Sequence, residues 1–210
     1  MIHYTQCPSC GSTDIAEKYT TTDYSISGEQ FKINNCNYCG LLFTQDVPAQ
    51  EEIGRYYHAE QYISHSDTSK GLVNKLYHIV RKQTLKGKYK LVKTTTGLPK
   101  GNILDIGSGT GAFLNTMHSA GWTITGIEPD ETARNNANQL YGIQAIEPGL
   151  SVSLHAESFD AITMWHVLEH VHQLDGQMKE LNRLLKPGGR ILIAVPNHTS
   201  YDARHYGKYW

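Results

Sequence analysis

Ile103-Leu104-Asp105-Ile106-Gly107-Ser108-Gly109-Thr110-Gly111 is the stretch that decides the fold. A short apolar run bounded by glycines reads as a buried strand. The helical stretch through Met117 follows the turn, so the two form the opening of a strand–helix unit. Ligands of open α/β sheets sit at the carboxyl ends of the strands, which is where this glycine turn lies. Gly107, Gly109 and Ala112 fit the G-x-G-x-x-G/A fingerprint, and Glu128 lies where a ribose-binding acid belongs. No Gly-Lys-Ser/Thr follows, so a Walker phosphate loop is excluded. Asp105 stands two residues before the first glycine. A carboxylate there suits an ammonium group and repels a pyrophosphate. The implied ligand is a cationic amino acid joined to a ribose.

Downstream, strand and helix alternate. Thr123–Ile127 reads as a second strand ending in Glu128-Pro129, and a helix runs from Asp130 to about Tyr141. Ile143–Ile146 is a weak third strand and Phe159–Met164 a fourth. A helix carrying Met178, Leu181, Leu184 and Leu185 leads through the turn Pro187-Gly188-Gly189 into a fifth strand, Arg190–Val195. Such alternation means a parallel sheet covered by helices on both faces.

Upstream, all four cysteines fall in the first 40 residues, as Cys7-Pro8-Ser9-Cys10 and Cys36-Asn37-Tyr38-Cys39. Two such pairs complete a tetrahedral four-thiolate site for Zn²⁺. Gly11 and Gly40 let the backbone turn through positive φ behind each pair. Ile15–Thr21, Gln30–Ile33 and Leu41–Thr44 are expected as strands of this module. Four ligands leave no open position, so the metal is structural rather than catalytic.

Between module and sheet lies a polar, aromatic connector with Tyr56, Tyr57, Tyr62, Ser64 and His65, then a helix from about Ser69 to Lys93. Leu72, Leu76, Ile79 and Val80 are expected to mark its apolar face, resumed by Leu91 and Val92. Nine of the 19 basic residues lie from Lys70 to Lys100, and no acid occurs between Asp67 and Asp105. The plain reading is a solvated basic face; the sharper one is a docking surface for an anionic substrate or partner. The expected organisation is residues 1–45 as zinc ribbon, 46–99 as connector and basic helix, and 100–210 as ligand-binding domain.

The chain has 210 residues and a formal charge of −1, so it can bury a core and no global charge advertises nucleic acid. No apolar run approaches the roughly 18–20 residues that span a bilayer. The N-terminus lacks the basic and apolar regions of a signal peptide, and a cytoplasmic protein is expected.

Residues 103–111 resemble the first motif of class I S-adenosylmethionine (SAM) methyltransferases. Gly126-Ile127-Glu128-Pro129 resembles the second. Residues 159–170, Phe-Asp-Ala-Ile-Thr-Met-Trp-His-Val-Leu-Glu-His, resemble the fourth-strand motif, and residues 184–193, Leu-Leu-Lys-Pro-Gly-Gly-Arg-Ile-Leu-Ile, the entry to the fifth strand. The likeness covers roughly residues 100–197 with all motifs in order. With the cysteine module in front, the whole is similar to bacterial small-molecule and sugar methyltransferases that carry an N-terminal zinc ribbon.

The resemblance implies an α/β fold: a Rossmann-like SAM methyltransferase sheet, here lacking its last two strands, preceded by the zinc-ribbon module. It implies SAM and structural Zn²⁺ as cofactors, with Cys7, Cys10, Cys36 and Cys39 on the metal. Asp105, Gly107, Ser108, Gly109, Thr110, Gly111, Glu128, Pro129, Trp165 and His166 would form the cofactor site. Asp105 would face the ammonium, Glu128 both ribose hydroxyls, and Trp165 and His166 the sulfonium end. His166, His198 and Tyr201 are the expected catalytic groups, with His170 and His205 as further candidate bases. The implied reaction is methyl transfer to a small-molecule acceptor, including anionic acceptors and a sugar or glycan precursor.

The chain departs from the family at its end. It stops at Trp210, too soon after Val195 for the antiparallel pair that closes such sheets, so a C-terminally incomplete domain is expected. The fifth strand would then be a bare edge, and dimerisation through it or poor solubility would follow. The alternatives are an RNA methyltransferase, with ribbon and basic helix holding nucleic acid, and a non-catalytic SAM-binding module. Against RNA, the Asn/Asp-Pro-Pro-aromatic tetrapeptide of many base-amino methyltransferases is absent.

Overall fold

The computed structural model describes residues 1–24, 26–49, 52, 56 and 72–209. Tyr57, Tyr62, Ser64, His65 and Lys70, and the side chains of Leu72, Lys75 and Leu76, lie outside the described residues. The chain forms two compact units. One comprises Met1–Ile63, His172–Gly176 and Asn197–Trp210; the other comprises Ser64–Val171 and Gln177–Pro196.

The first unit holds a three-stranded antiparallel sheet, β1 (Ile15–Thr22), β2 (Gln30–Cys36) and β3 (Leu42–Thr44), in sequence order. These are the three expected strands, with β2 extended to Cys36. The β1–β2 turn is tied by Asp23, whose carboxylate accepts the backbone N–H groups of Ile26 and Ser27. The short helix α5 (Tyr201–Tyr206) also belongs to this unit, capped by Ser200, whose hydroxyl accepts the Ala203 N–H.

The second unit is α/β. It comprises α1 (Leu72–Thr96), β4 (Asn102–Ile106), α2 (Ala112–Ser119), β5 (Thr123–Ile127), α3 (Glu131–Tyr141), β6 (Phe159–Trp165), α4 (Leu174–Leu184, from its fourth residue onward) and β7 (Leu185–Ala194). The strands are parallel in the order β5-β4-β6-β7. Among the described residues the expected third strand shrinks to one bridge, Ile146 beside Ile127. Two backbone hydrogen bonds hold it, Ile146 N–H to Gly126 O and Glu128 N–H to Ile146 O. Pro148, two residues on, has no N–H to extend a ladder.

Alternation along the strands sorts the core onto two faces. Ile103 and Ala161 pack with Phe113 and Met117 of α2, Val92 of α1, Trp122 and Leu192. Leu104, Ile162 and Met164 pack on the other side with Leu181 and Leu184 of α4. The buried stripe of α1 differs from the expected one. Val92 is fully buried, with Leu85 and Tyr89 packed against the same cluster, whereas Ile79, Val80 and Leu91 are exposed. The chain therefore places Arg81, Leu85, Lys88 and Val92, spaced at helical intervals, along one face of α1.

The turn Lys186–Gly189 is taken up inside β7 as an irregularity: Phe159 pairs with Leu185, and Ala161 only with Arg190. Lys186 returns to bind both carboxylate oxygens of Asp160 at 2.9 Å. The Asn102 N–H donates to the same carboxylate at 2.7 Å, which fixes the start of β4 beside β6. β7 forms one edge of this sheet. Among the described residues no helix is long and apolar enough to cross a membrane.

Candidate functional site

The site grows from the carboxyl ends of β4 and β5. Gly107, Gly109 and Gly111 all hold φ between 53° and 78°, the left-handed region that other residues avoid. At Gly107 there is a second constraint, since a Cβ would run into the side chain of Val167. The loop folds back onto β5, with the N–H groups of Gly107 and Ser108 both donating to Ile127 O. Its end, Gly111, caps α2 without help from any side chain.

Glu128 is buried at the end of β5. Its Oε2 accepts the Gly109 N–H at 2.7 Å and its Oε1 accepts the Asp130 N–H at 2.9 Å. A carboxylate oxygen accepts along two lone-pair directions, so each oxygen keeps one for a further donor. Asp130 in turn caps α3, accepting the Ala133 N–H. Arg134 of α3 reaches back to the carbonyls of Glu128 and Pro129, so the strand end is held from both sides.

Asp105 is 2% exposed and accepts a 2.6 Å hydrogen bond from the Thr163 hydroxyl. Burial raises its pKa to about 7, and the nearby Glu128 pushes the same way; Thr163 and the Lys88 ammonium oppose the rise. A buried acid short of full compensation is well suited to receive a cation.

Trp165 ends β6 with its ring edge-to-face against Phe113, centroids 5.6 Å apart. The Lys88 ammonium of α1 lies 4.6 Å above the Trp165 ring. His166 turns through φ 59° and its N–H donates to Ala194 O. Its exposed imidazole stands 3.6 Å from Glu169. Thr110 is held at its hydroxyl by Arg81 at 3.3 Å. His170 sits in a single 3-10 turn, Leu168–His170. His198, Tyr201 and His205 belong to the other unit, where Tyr201 and His205 stack on each other at 5.6 Å.

The structure thus brings Asp105, the three loop glycines, Ser108, Thr110, Glu128 and Pro129 together at the ends of β4 and β5. Sequence reasoning missed Lys88, Arg81 and Val167. The signal for the first two was available, because they share a helix face with Leu85 and Val92. Val167 has no such signature.

These residues fit a SAM-like ligand. The loop is built from positive-φ glycines, a bidentate acid stands beside it, and a second acid lies buried below. In addition, Ser108 Oγ and Trp165 Nε1 are buried with no hydrogen-bond partner among the described residues. A methyltransferase-domain family matches residues 78–210, more than half of the sequence. The chain belongs to this methyltransferase family. Relatives include a ubiquinone biosynthesis O-methyltransferase of Actinobacillus pleuropneumoniae, 36% identical over 114 residues, 49% of each chain. A demethylmenaquinone methyltransferase of Tropheryma whipplei is 33% identical over 100 residues, 46% of this chain and 42% of that one. This methyltransferase spans about half the length of the curated relatives it matches. Its fold is shared with a protein of Pyrococcus horikoshii (20% identity, TM-score 0.53, 66% of this chain and 64% of that one). A SAM-dependent methyltransferase of Archaeoglobus fulgidus has the same fold (22% identity, TM-score 0.50, 57% and 55%). The parallel-sheet fold and the methyltransferase family expected from the four motifs are borne out.

In the other unit, the four cysteine sulfurs lie within 4.8 Å of one another. Cys7 and Cys39 sulfurs are 3.6 Å apart, as are those of Cys10 and Cys36. A tetrahedral site with Zn–S bonds of about 2.3 Å has sulfurs roughly 3.8 Å apart, so the cluster fits the ion. The two knuckles repeat one hydrogen-bond scheme. Gly11 N–H donates to Cys7 O and Gly40 N–H to Cys36 O. Cys7 N–H donates to Ser12 O and Cys36 N–H to Leu41 O. The Cys39 N–H donates to the Cys36 sulfur and pulls that thiol down to about 6, toward the thiolate a metal needs.

Proposed function

We propose that this methyltransferase moves a methyl group from SAM to a small-molecule acceptor. The observation that carries the reading is Glu128. Both of its oxygens are oriented by backbone N–H groups, beside a glycine loop, with lone pairs left for two ribose hydroxyls. When bound, SAM supplies an electrophilic methyl group on a sulfonium. The chain's own work is to bind and align it, exclude water and remove a proton where the acceptor requires it.

In this reading Asp105 receives the ammonium, and Gly107, Ser108, Gly109, Thr110 and Gly111 leave room for the methionine part. Pro129 follows Glu128 at the ribose, and Trp165 and His166 stand toward the sulfonium. His166, His198 and Tyr201 are the acid–base candidates. Cys7, Cys10, Cys36 and Cys39 hold a structural Zn²⁺, and residues 1–45, 46–99 and 100–210 are the functional segments.

The names of the relatives, with quinone-biosynthesis substrates, favour a small-molecule acceptor over RNA. A sugar or glycan precursor rests on the resemblance to ribbon-bearing enzymes alone. An anionic acceptor rests on the exposed lysines of α1, and homodimerisation on the edge position of β7. Calorimetric titration with S-adenosylhomocysteine (SAH) tests the reading. Micromolar binding that Glu128→Ala weakens about tenfold or more, roughly 1.4 kcal/mol, supports it. A folded wild-type chain that binds neither SAM nor SAH overturns it.

A further inference from the structure

Lys88 departs from the behaviour of its neighbours. Lys82, Lys86, Lys90 and Lys93 on the same helix are exposed, the expected solvated face. Lys88 instead turns inward. Its ammonium lies 4.6 Å from the Trp165 ring centroid and 6.0 Å from that of Phe113. Asp105, Thr163 and Trp165 alternate onto the same face of the sheet as this ammonium, and the charges of Lys88 and Asp105 attract each other. The helix cannot carry Lys88 away easily, because Val92, one turn on, is fully buried in the core. An ammonium is therefore built into the corner where an acid and an aromatic face would otherwise welcome a ligand cation; burial lowers its pKa and the Asp105 carboxylate opposes the fall.

We propose that Lys88 is a charge-selecting residue of the cofactor site, one that disfavours the cationic methyl donor relative to its neutral demethylated product. The proposal rests on the SAM reading of that site. SAM and SAH carry the same ammonium, carboxylate, ribose and adenine. They differ at sulfur, where SAM has one more positive charge and SAH has none. Contacts to the shared parts cancel in the ratio of the two affinities. A resident ammonium does not cancel: its repulsion of the shared amino group and its attraction of the shared carboxylate drop out of the ratio, and its repulsion of the sulfonium remains. It also occupies the Trp165 face that a sulfonium would use.

The experiment is calorimetric titration of wild type, Lys88→Met and Lys88→Arg with SAM and with SAH, at one pH and salt concentration. Methionine keeps the apolar stem on the rings and removes the charge; arginine keeps the charge. The expected result is that Lys88→Met lowers the ratio Kd(SAM)/Kd(SAH) by about threefold or more, the effect of one like charge across a site of this size even under strong screening. Lys88→Arg holds the wild-type ratio. An unchanged ratio in Lys88→Met overturns the proposal. So does an equal change for both ligands, which would put Lys88 on their shared methionine end. Wild type that binds neither ligand overturns the cofactor reading itself, a separate failure visible before any variant is made. Lys88→Gln repeats the comparison if the methionine variant does not fold.

Discussion

Glu128 accepts the Gly109 N–H at 2.7 Å, so the end of β5 holds the glycine loop that leaves β4. One carboxylate thereby shapes the loop and presents itself to a ligand. Glu128→Ala removes both roles and leaves the N–H groups of Gly109 and Asp130 without their acceptor. It should weaken SAH binding about tenfold or more and lower stability by about 1–3 kcal/mol. Glu128→Gln keeps one acceptor oxygen. It should recover part of the stability while remaining weak for SAH. Calorimetry beside urea unfolding separates the two effects; equal losses of stability in both variants would count against the orienting role.

At Gly107 two costs combine, a φ of 71° and a collision with Val167. Gly107→Ala should lose about 1–3 kcal/mol for the backbone strain, and more for the collision. The double variant Gly107→Ala, Val167→Ala removes the collision only. It should fall between wild type and the single variant in denaturant midpoint. A double variant no better than the single one would assign the whole cost to φ.

Most of this fold could be read from residue order alone. The run from Ile103 to Gly111 carries its own instructions: period, glycines and the acid at the strand end. The cysteine pairs did the same for the cluster of four sulfurs. What could not be read were effects that depend on distant partners. Ile143–Ile146 has a strand's composition, yet only Ile146 bridges to β5 and Pro148 stops any ladder. Ile79 and Val80 are apolar but face outward, because the contacts of Leu85 and Val92 decide how α1 is rotated. The same rotation turns Lys88 inward, and a charge count cannot separate it from the lysines that stay in water.

Chelation should act on one unit and spare the other. The cluster's sulfurs lie on the two knuckles beside β1 and β2, while the buried apolar core of the parallel sheet shares none of them. Metal binding is folding free energy for such ribbons. A chelator or Cys36→Ser should therefore abolish zinc retention and remove an early unfolding step, leaving the melting of the parallel sheet and SAH binding close to wild type. Cobalt loading gives the signature of four thiolates: intense tetrahedral absorption bands that Cys36→Ser changes. Collapse of the whole chain on chelation would mean that the two units do not fold independently.

Asp105 gives the pH dependence. Its pKa in the folded chain is about 7, above the ordinary aspartate value of 3.8 that the unfolded chain keeps, with burial as the main cause. Between those values the folded protein holds a proton that the unfolded chain has released. The stabilisation from this neutral carboxyl is fully present below about pH 4 and is lost as the pH rises through about 7. Asp105→Asn stays neutral throughout, and its amide oxygen can still accept from Thr163. The variant should therefore match wild type in thermal stability near pH 4 and melt higher at pH 8. Each kcal/mol recovered is worth about 2–4 °C in a chain of this size. Its SAH affinity should move the other way, because the ligand's ammonium loses its carboxylate. Comparing the two proteins at each pH cancels every other titrating group that they share. A melting difference that stays constant from pH 4 to pH 8 would show that Asp105 titrates alike in the folded and unfolded chains, and the case for a cation receptor at the end of β4 would fall with it.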